Sequence, residues 1–255
     1  MNEHTVDDWQ PLETSSHFLS TPSHFPAQAR GLIWSRFWGN PMSKAGLFLL
    51  LPILILILLG PSVSGYAYDA LHLTQKNQSP SSQFWFGTDD LGRDIFTRIA
   101  YGARISLTVG LLAAFIDLVI GFIWGGVAGL KGGRVDEIMM RLADILYALP
   151  YLLVVILLTV VLGSGLSSLL IAITLIGWIT MARIIRGQIL LLKEMDYILA
   201  AKTMGASSPR LLFVHLLPNA MGPILITLTL TIPSAIFSEA FLSFLGLGIQ
   251  APQVM

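Results

Sequence analysis

The sequence has no cysteine among its 255 residues and only 12% charged side chains. Without thiols there is no disulfide framework, and zinc knuckles or iron–sulfur clusters lack their thiolate ligands. Soluble chains carry about twice that share of charge. Fifteen basic and fifteen acidic residues cancel, so no net field recruits nucleic acid. Catalytic motifs are missing too: there is no G-x-x-x-x-G-K-[ST] phosphate loop, no H-E-x-x-H and no nucleophile elbow. This excludes ATP binding by that route and argues against an enzyme with catalytic residues, a cofactor or a metal of its own. What is present is apolar, 54% of the chain, which places most of the length in lipid and excludes a chain disordered as a whole.

Charge-free intervals mark the membrane segments, because a charge at the bilayer centre costs about 2.5–3.5 kcal/mol. Residues 45–68 carry none and include LFLLLPILILILL, enough for a first span of about 20 residues. A second is predicted over 106–128, where the apolar residues outweigh Asp117. Residues 145–182 are charge-free, too long for one helix. Gly163-Ser164-Gly165 divides them into spans over 145–162 and 166–182. The fifth runs from Met221 to about Ser238, with Glu239 just beyond, and the apolar AFLSFLGLGI either extends it or folds back at the interface. The expected fold is an all-α polytopic membrane bundle of five spans.

Arginine and lysine set the orientation. Arg30, Arg36 and Lys44 precede span one; Lys131, Arg134 and Arg141 separate spans two and three. Arg183, Arg186, Lys193, Lys202 and Arg210 separate spans four and five, and only Lys76, Arg93, Arg98 and Arg104 lie between spans one and two. The N-terminus is therefore predicted to be cytoplasmic. A cytoplasmic tail occupies 1–43 and a transmembrane domain 44–255, with an extracytoplasmic loop over 61–105 and a cytoplasmic loop over 183–220. The tail, with His4, His17 and His24, reads as disordered and holds no cleavable signal peptide. Trp34, Phe37 and Trp38 read as an interfacial aromatic belt.

The loop over 183–220 carries most information. Tyr197, Ala200, Ala201 and Met204 fall at i, i+3, i+4, i+7 on one helical stripe. Gly205 is a helix stop. Ser207-Ser208-Pro209 starts a second helix, and Pro218 is expected to break the chain before span five. Thr88 is a candidate N-cap with Asp89 and Asp90 in the first turn and Leu91, Ile95 and Ile99 on one face. Asp117 and Glu239 are ionisable groups in or beside spans, candidates for lining a polar path. Asp144 is expected to pair with Arg141 at the surface. Gly121, Gly125 and Gly129 have the small-xxx-small spacing of close helix contact.

Ala200-Ala201, Gly205 and Leu217-Pro218 resemble the E-A-A loop of ATP-binding-cassette (ABC) importer permeases. Leu199 stands at the family's glutamate, and His215 stands where many members have isoleucine; H-x-L-P-N resembles the peptide and nickel branch. Phe86-Gly87-Thr88-Asp89-Asp90-Leu91-Gly92-Arg93-Asp94, then Thr97-Arg98 and Gly102-Ala103-Arg104-Ile105-Ser106-Leu107, resemble the signature of the C-type permease subunit of dipeptide and oligopeptide importers. Arg36…Asn40-Pro41, Gly129-Leu130-Lys131-Gly132-Gly133…Asp136…Met140-Arg141 and Phe241-Leu242-Ser243-Phe244-Leu245-Gly246-Leu247-Gly248 continue the match.

The resemblance implies a peptide-importing permease subunit of the bacterial inner membrane. Its partners would be a second homologous permease, two ATP-binding subunits that hydrolyse ATP, an extracytoplasmic peptide-binding protein and membrane lipid. Tyr197, Leu199, Ala200, Ala201, Met204, Gly205, His215 and Pro218 would form the ATPase-docking loop. It also implies a further span beyond Gly248, whereas the sequence ends at Met255. A shortened, transport-incompetent or regulatory subunit is therefore the second reading. A secondary transporter using Asp117 and Glu239 is the third.

Overall fold

The computed structural model describes residues 28–163 and 165–248. Ser164, the tail histidines and Gln253-Val254-Met255 lie outside them. The chain divides into two units, residues 1–53 and 54–255. In the first, α1 (Gln28–Gly39) leads into α2 (Pro41–Val63). Asn40 Oδ1 accepts from Met42 N at 2.9 Å, an N-cap with proline at the first helical position. Trp34, Phe37 and Trp38 stack edge to face, and both tryptophans are exposed.

The second unit contains the end of α2, then α3 (Ile95–Lys131), α4 (Gly133–Tyr147), α5 (Tyr151–Leu162) and α6 (Leu166–Leu192). After these come α7 (Asp196–Thr203), α8 (Ser208–Arg210), a π-helical turn (Leu211–Leu216) and α9 (Leu217–Phe244). Among the described residues, four helical stretches are long and apolar enough to cross a membrane, and α4 with α5 forms a bent fifth. This is the expected all-α polytopic membrane fold.

A proline near the end of α2 is answered from α3. Pro61 has no N–H, so the carbonyl of Ile57 loses its helical donor. Arg104 supplies the replacement, with Nε 3.3 Å and Nη2 3.2 Å from Ile57 O, and Nη2 3.0 Å from Leu58 O. The arginine of the G-x-R-x-S-L stretch thus mends a neighbouring helix. Two residues on, Ser106 Oγ donates to Glu239 Oε2 at 2.8 Å, joining α3 to α9.

The central pair is α3 and α6, and the glycine spacing explains it. A Cβ on Gly121 would sit 2.7 Å from Met181 Cβ, and one on Gly129 3.0 Å from Ile189 Cβ. One on Gly125 would collide with the Ala182 carbonyl. Only hydrogen fits there, and the backbones approach accordingly. Beside them Val109, Ala113, Val155, Leu169, Ala172, Ala235 and Leu242 join α3, α5, α6 and α9 in one buried cluster.

Several sequence expectations are corrected. Residues 88–94 form a loop, and α3 begins at Ile95 with Asp94 as N-cap. Asp94 Oδ2 accepts from Thr97 N at 3.0 Å and from Thr97 Oγ1 at 2.5 Å. Thr88 is unavailable as a cap, because its hydroxyl accepts from Gln78 N (2.9 Å) and donates to Gln75 O (2.5 Å). Leu91 therefore lies outside the helix that holds Ile95 and Ile99. Gly92 has φ +76°, and a Cβ there would strike the carbonyl of His72, so this turn requires glycine.

The third span is broken. Pro150 restricts the residue before it, and α4 and α5 meet at 80°. The twelve residues of α5 reach about 18 Å at 1.5 Å per residue, short of a hydrocarbon core of about 30 Å. α6 runs ten residues past the expected end at 182, so residues 183–192 belong to it. Pro218 does not break the chain. Leu217 N donates to Leu212 O, five residues back, a widened turn that admits the proline within a continuing helix. α9 extends to Phe244, which places Glu239 inside it. Asp144 pairs with Arg183 (2.7 Å) rather than Arg141.

Candidate functional site: a hydroxyl-lined groove and a surface hairpin

A groove of about 460 Å³ opens between α3, α6 and α9, with Tyr147 and Tyr151 at its margin. Asp117 lines it although only 3% exposed. Its carboxylate has room because residue 177 of α6 is glycine; a Cβ there would stand 2.5 Å from Asp117 Oδ2. Among the described residues, Asp117 Oδ1 has no hydrogen-bond partner. Glu239, 1% exposed, does not line the groove, because its side chain is turned to Ser106. The two acids are thus placed in different settings.

The sequence reading missed the other polar wall. Thr227, Thr231, Ser234 and Ser238 line the groove from α9, at i, i+4, i+7 and i+11, a helical stripe visible in the sequence. Three of these hydroxyls donate to their own helix. Thr227 Oγ1 bonds Pro223 O at 2.9 Å, Thr231 Oγ1 bonds Thr227 O at 3.0 Å and Ser234 Oγ bonds Leu230 O at 2.9 Å. Their hydrogens are committed, which leaves oxygen lone pairs as acceptors. Pro223 and Pro233 lie inside the same continuous helix, and back-bonded hydroxyls beside prolines favour bending.

At one end of α6 sits the hairpin. Met195 and Asp196 open α7, and a Schellman motif closes it. Gly205 N donates to Lys202 O (2.9 Å) and Ala206 N to Ala201 O (3.0 Å), with Gly205 at φ +84°. Ser207 then leads into α8 with proline in its first turn. Ile198 and Ala201 of α7, with Leu211, Leu212 and Leu216 of the π-helical turn, pack on Met181, Ile185 and Ile189 of α6. The predicted stripe therefore splits. Ala201 faces inward, whereas Tyr197 (42% exposed), Leu199 (46%), Ala200 and Met204 (81%) face out. Burial raises the Tyr197 hydroxyl pKa. His215, half-buried, lines a cleft with Ala201, Met204, Gly205 and Arg210, and Pro218 is exposed.

Beside the hairpin, Arg186 grips Asp136 of α4 in a two-pronged pair, with Nη2 2.7 Å from Oδ2 and Nε on Oδ1. Arg183 binds Asp144 and lies 4.5 Å over the Tyr147 ring. At the opposite end Asp89 organises its loop. Its Oδ1 accepts from Leu91 N (2.9 Å) and Arg93 N (2.8 Å), and its Oδ2 from Arg93 Nε (2.7 Å). Burial pushes this carboxyl pKa up, but those hydrogen bonds and the Arg93 charge outweigh it and hold it below the usual carboxylate range.

Residues 118–255 match the family of binding-protein-dependent transport system inner membrane components. The chain belongs to this family. Residues 30–80 match the N-terminal transmembrane domain of oligopeptide transport permease C, which makes it a C-type permease subunit. The dipeptide transport system permease protein DppC of Bacillus subtilis is 56% identical over 219 residues, 86% of this chain and 68% of the relative. The oligopeptide transport system permease protein OppC of the same organism is 56% identical over 217 residues, 85% and 71% of the two chains. OppC of Escherichia coli is 41% identical over 219 residues, 85% and 72%. A chain of the MetNI methionine ABC transporter in an inward-facing conformation shares the fold. It has a TM-score of 0.50 and 19% identity, and the match covers 60% of this permease and 76% of that chain.

Proposed function

We propose that the chain is a membrane-spanning subunit of an ATP-driven importer of dipeptides or oligopeptides. Membership of the permease family and the names of its relatives support the importing role. The observation that carries the coupling is the hairpin. It is fastened to α6 by Ile198, Ala201, Leu211 and Leu216, yet keeps Tyr197, Leu199, Ala200 and Met204 exposed. An ATP-binding subunit docks on that exposed edge, with Gly205 and the His215 cleft beside it and Pro218 behind. Leu199, at the family's glutamate position, supplies an apolar contact there. ATP hydrolysis belongs to two such partner subunits.

In this reading a second, homologous permease completes the path, and an extracytoplasmic binding protein delivers peptide to the 64–94 loop. The N-terminus and hairpin face the cytoplasm, a placement supported by the eleven basic residues on that side. The Asp117 groove is this subunit's share of the path, and Glu239, outside that groove, ties α9 to α3 through Ser106. Copurification with ATP-binding subunits and restoration of peptide uptake in a permease-deficient strain are the test. A chain that restores uptake without binding an ATPase would overturn the docking assignment, and one that restores none would overturn the importing role.

A further inference from the structure

A carboxylate within a membrane span is expensive and is retained for a partner or a task. Asp117 has neither an arginine nor a lysine beside it, since none of the described residues lining its groove is basic. Lining the same cavity from α9 is a row of oxygens whose hydrogens are spent on their own helix. The wall therefore offers one carboxylate and several further acceptors. The chemistry complementary to that set is a cation bearing several N–H donors.

We infer that Asp117, with Thr227, Thr231 and Ser234, forms an ammonium-binding site that holds the amino terminus of a peptide during passage. The inference rests on the importing role proposed above. An α-ammonium carries three N–H donors and a positive charge. One donor and the charge are met by Asp117, and the others by hydroxyl oxygens. Gly177 leaves room for the carboxylate at the groove wall, since a Cβ there would stand 2.5 Å from Asp117 Oδ2. The contact is made by a single carboxylate, so it holds the peptide without trapping it.

The test uses the complete complex in liposomes with saturating, peptide-loaded binding protein, and compares uptake of tri-alanine and Ala-Lys-Ala. Asp117→Asn should lower uptake of both peptides by roughly tenfold or more, the loss of one charge-assisted hydrogen bond. Asp117→Glu should recover most of it. A deficit confined to Ala-Lys-Ala would assign the site to a side-chain ammonium and overturn the amino-terminal assignment. Replacing sodium by choline should change nothing. A wild-type rate that collapses in choline, with Asp117→Asn indifferent to the exchange, would identify an inorganic cation and overturn the inference.

Wild-type uptake by Asp117→Asn would remove the ammonium site and leave the importer standing. Absence of uptake by the wild-type complex would remove the importing role itself. Should Asp117→Asn fail to assemble, Thr231→Val carries the test. It removes one acceptor at nearly constant volume and should slow tri-alanine uptake about threefold or more; an unchanged rate there overturns the inference.

Discussion

Arg104 donates to the carbonyl of Ile57 that Pro61 leaves without a helical donor. The relationship is conditional: the arginine is needed because the proline is there. Arg104→Met should lower stability by about 1 kcal/mol, measured as thermal unfolding in detergent. In a Pro61→Ala background the backbone N–H regained at that position restores the helical bond, and the same change should cost less. Equal losses in both backgrounds would show that the arginine acts elsewhere.

Arg186 and Asp136 lie fifty residues apart in sequence and meet in a fork. Lysine keeps the charge and loses the geometry. Arg186→Lys should therefore destabilise the α4–α6 contact by about 1–2 kcal/mol, and Arg186→Leu by more, because Asp136 is then buried without a partner. Limited proteolysis between α3 and α4 reads this contact, and a lysine variant as resistant as wild type would refute the fork.

The two alanines of α7 should separate folding from docking. Ala201 is buried, so Ala201→Glu places an unpaired carboxylate in the hairpin core and should melt it, at several kcal/mol. Ala200 is exposed. Ala200→Glu should leave the melting temperature within a degree or two, yet reduce stimulation of the partner's ATP hydrolysis roughly tenfold. Normal stimulation with Ala200→Glu would remove the exposed edge as a docking surface.

The loop around Asp89 should weaken in acid. Its folded pKa lies below that of the unfolded chain, so its contribution is fully present above the ordinary carboxylate range and is lost as pH falls through the depressed value. The protection factors of the Leu91 and Arg93 amides, which already take out the intrinsic pH dependence of exchange, should fall in acid. Asp89→Asn should bring fast exchange at neutral pH and abolish the dependence; a pH profile unchanged by that substitution would assign it to another group.

Features encoded by local periodicity were legible in the sequence. The long apolar runs, the Gly121/Gly125/Gly129 spacing and the Gly205 helix stop all correspond to structure, because each needs only neighbouring residues to express itself. What was not legible depends on distant partners. Thr88 and Asp94 are equally good caps in isolation, and Gln75 and Gln78 decide between them by occupying the threonine. Pro218 reads as a breaker, but a π-turn absorbs it. Of the candidate site, Asp117 stood out as a lone charge in an apolar run. The hydroxyl stripe of α9 did not, since threonine and serine are ordinary in such helices and only the facing carboxylate makes them a wall.

The glycine seam between α3 and α6 has a mechanical consequence. With backbone pressed on side chain from Gly121 to Gly129, neither helix can slip along the other without collision, so the pair moves as one piece. α6 is 27 residues long, about 40 Å, with the hairpin clamped at one end and the Gly177 notch partway along. It is a push-rod without a joint. A displacement at the hairpin should therefore carry to the Asp117 groove, with compliance expected in α9, which holds Pro223 and Pro233. Spin labels on α3 and α6 should keep their separation through the ATP cycle, whereas a label pair on α6 and α9 should not.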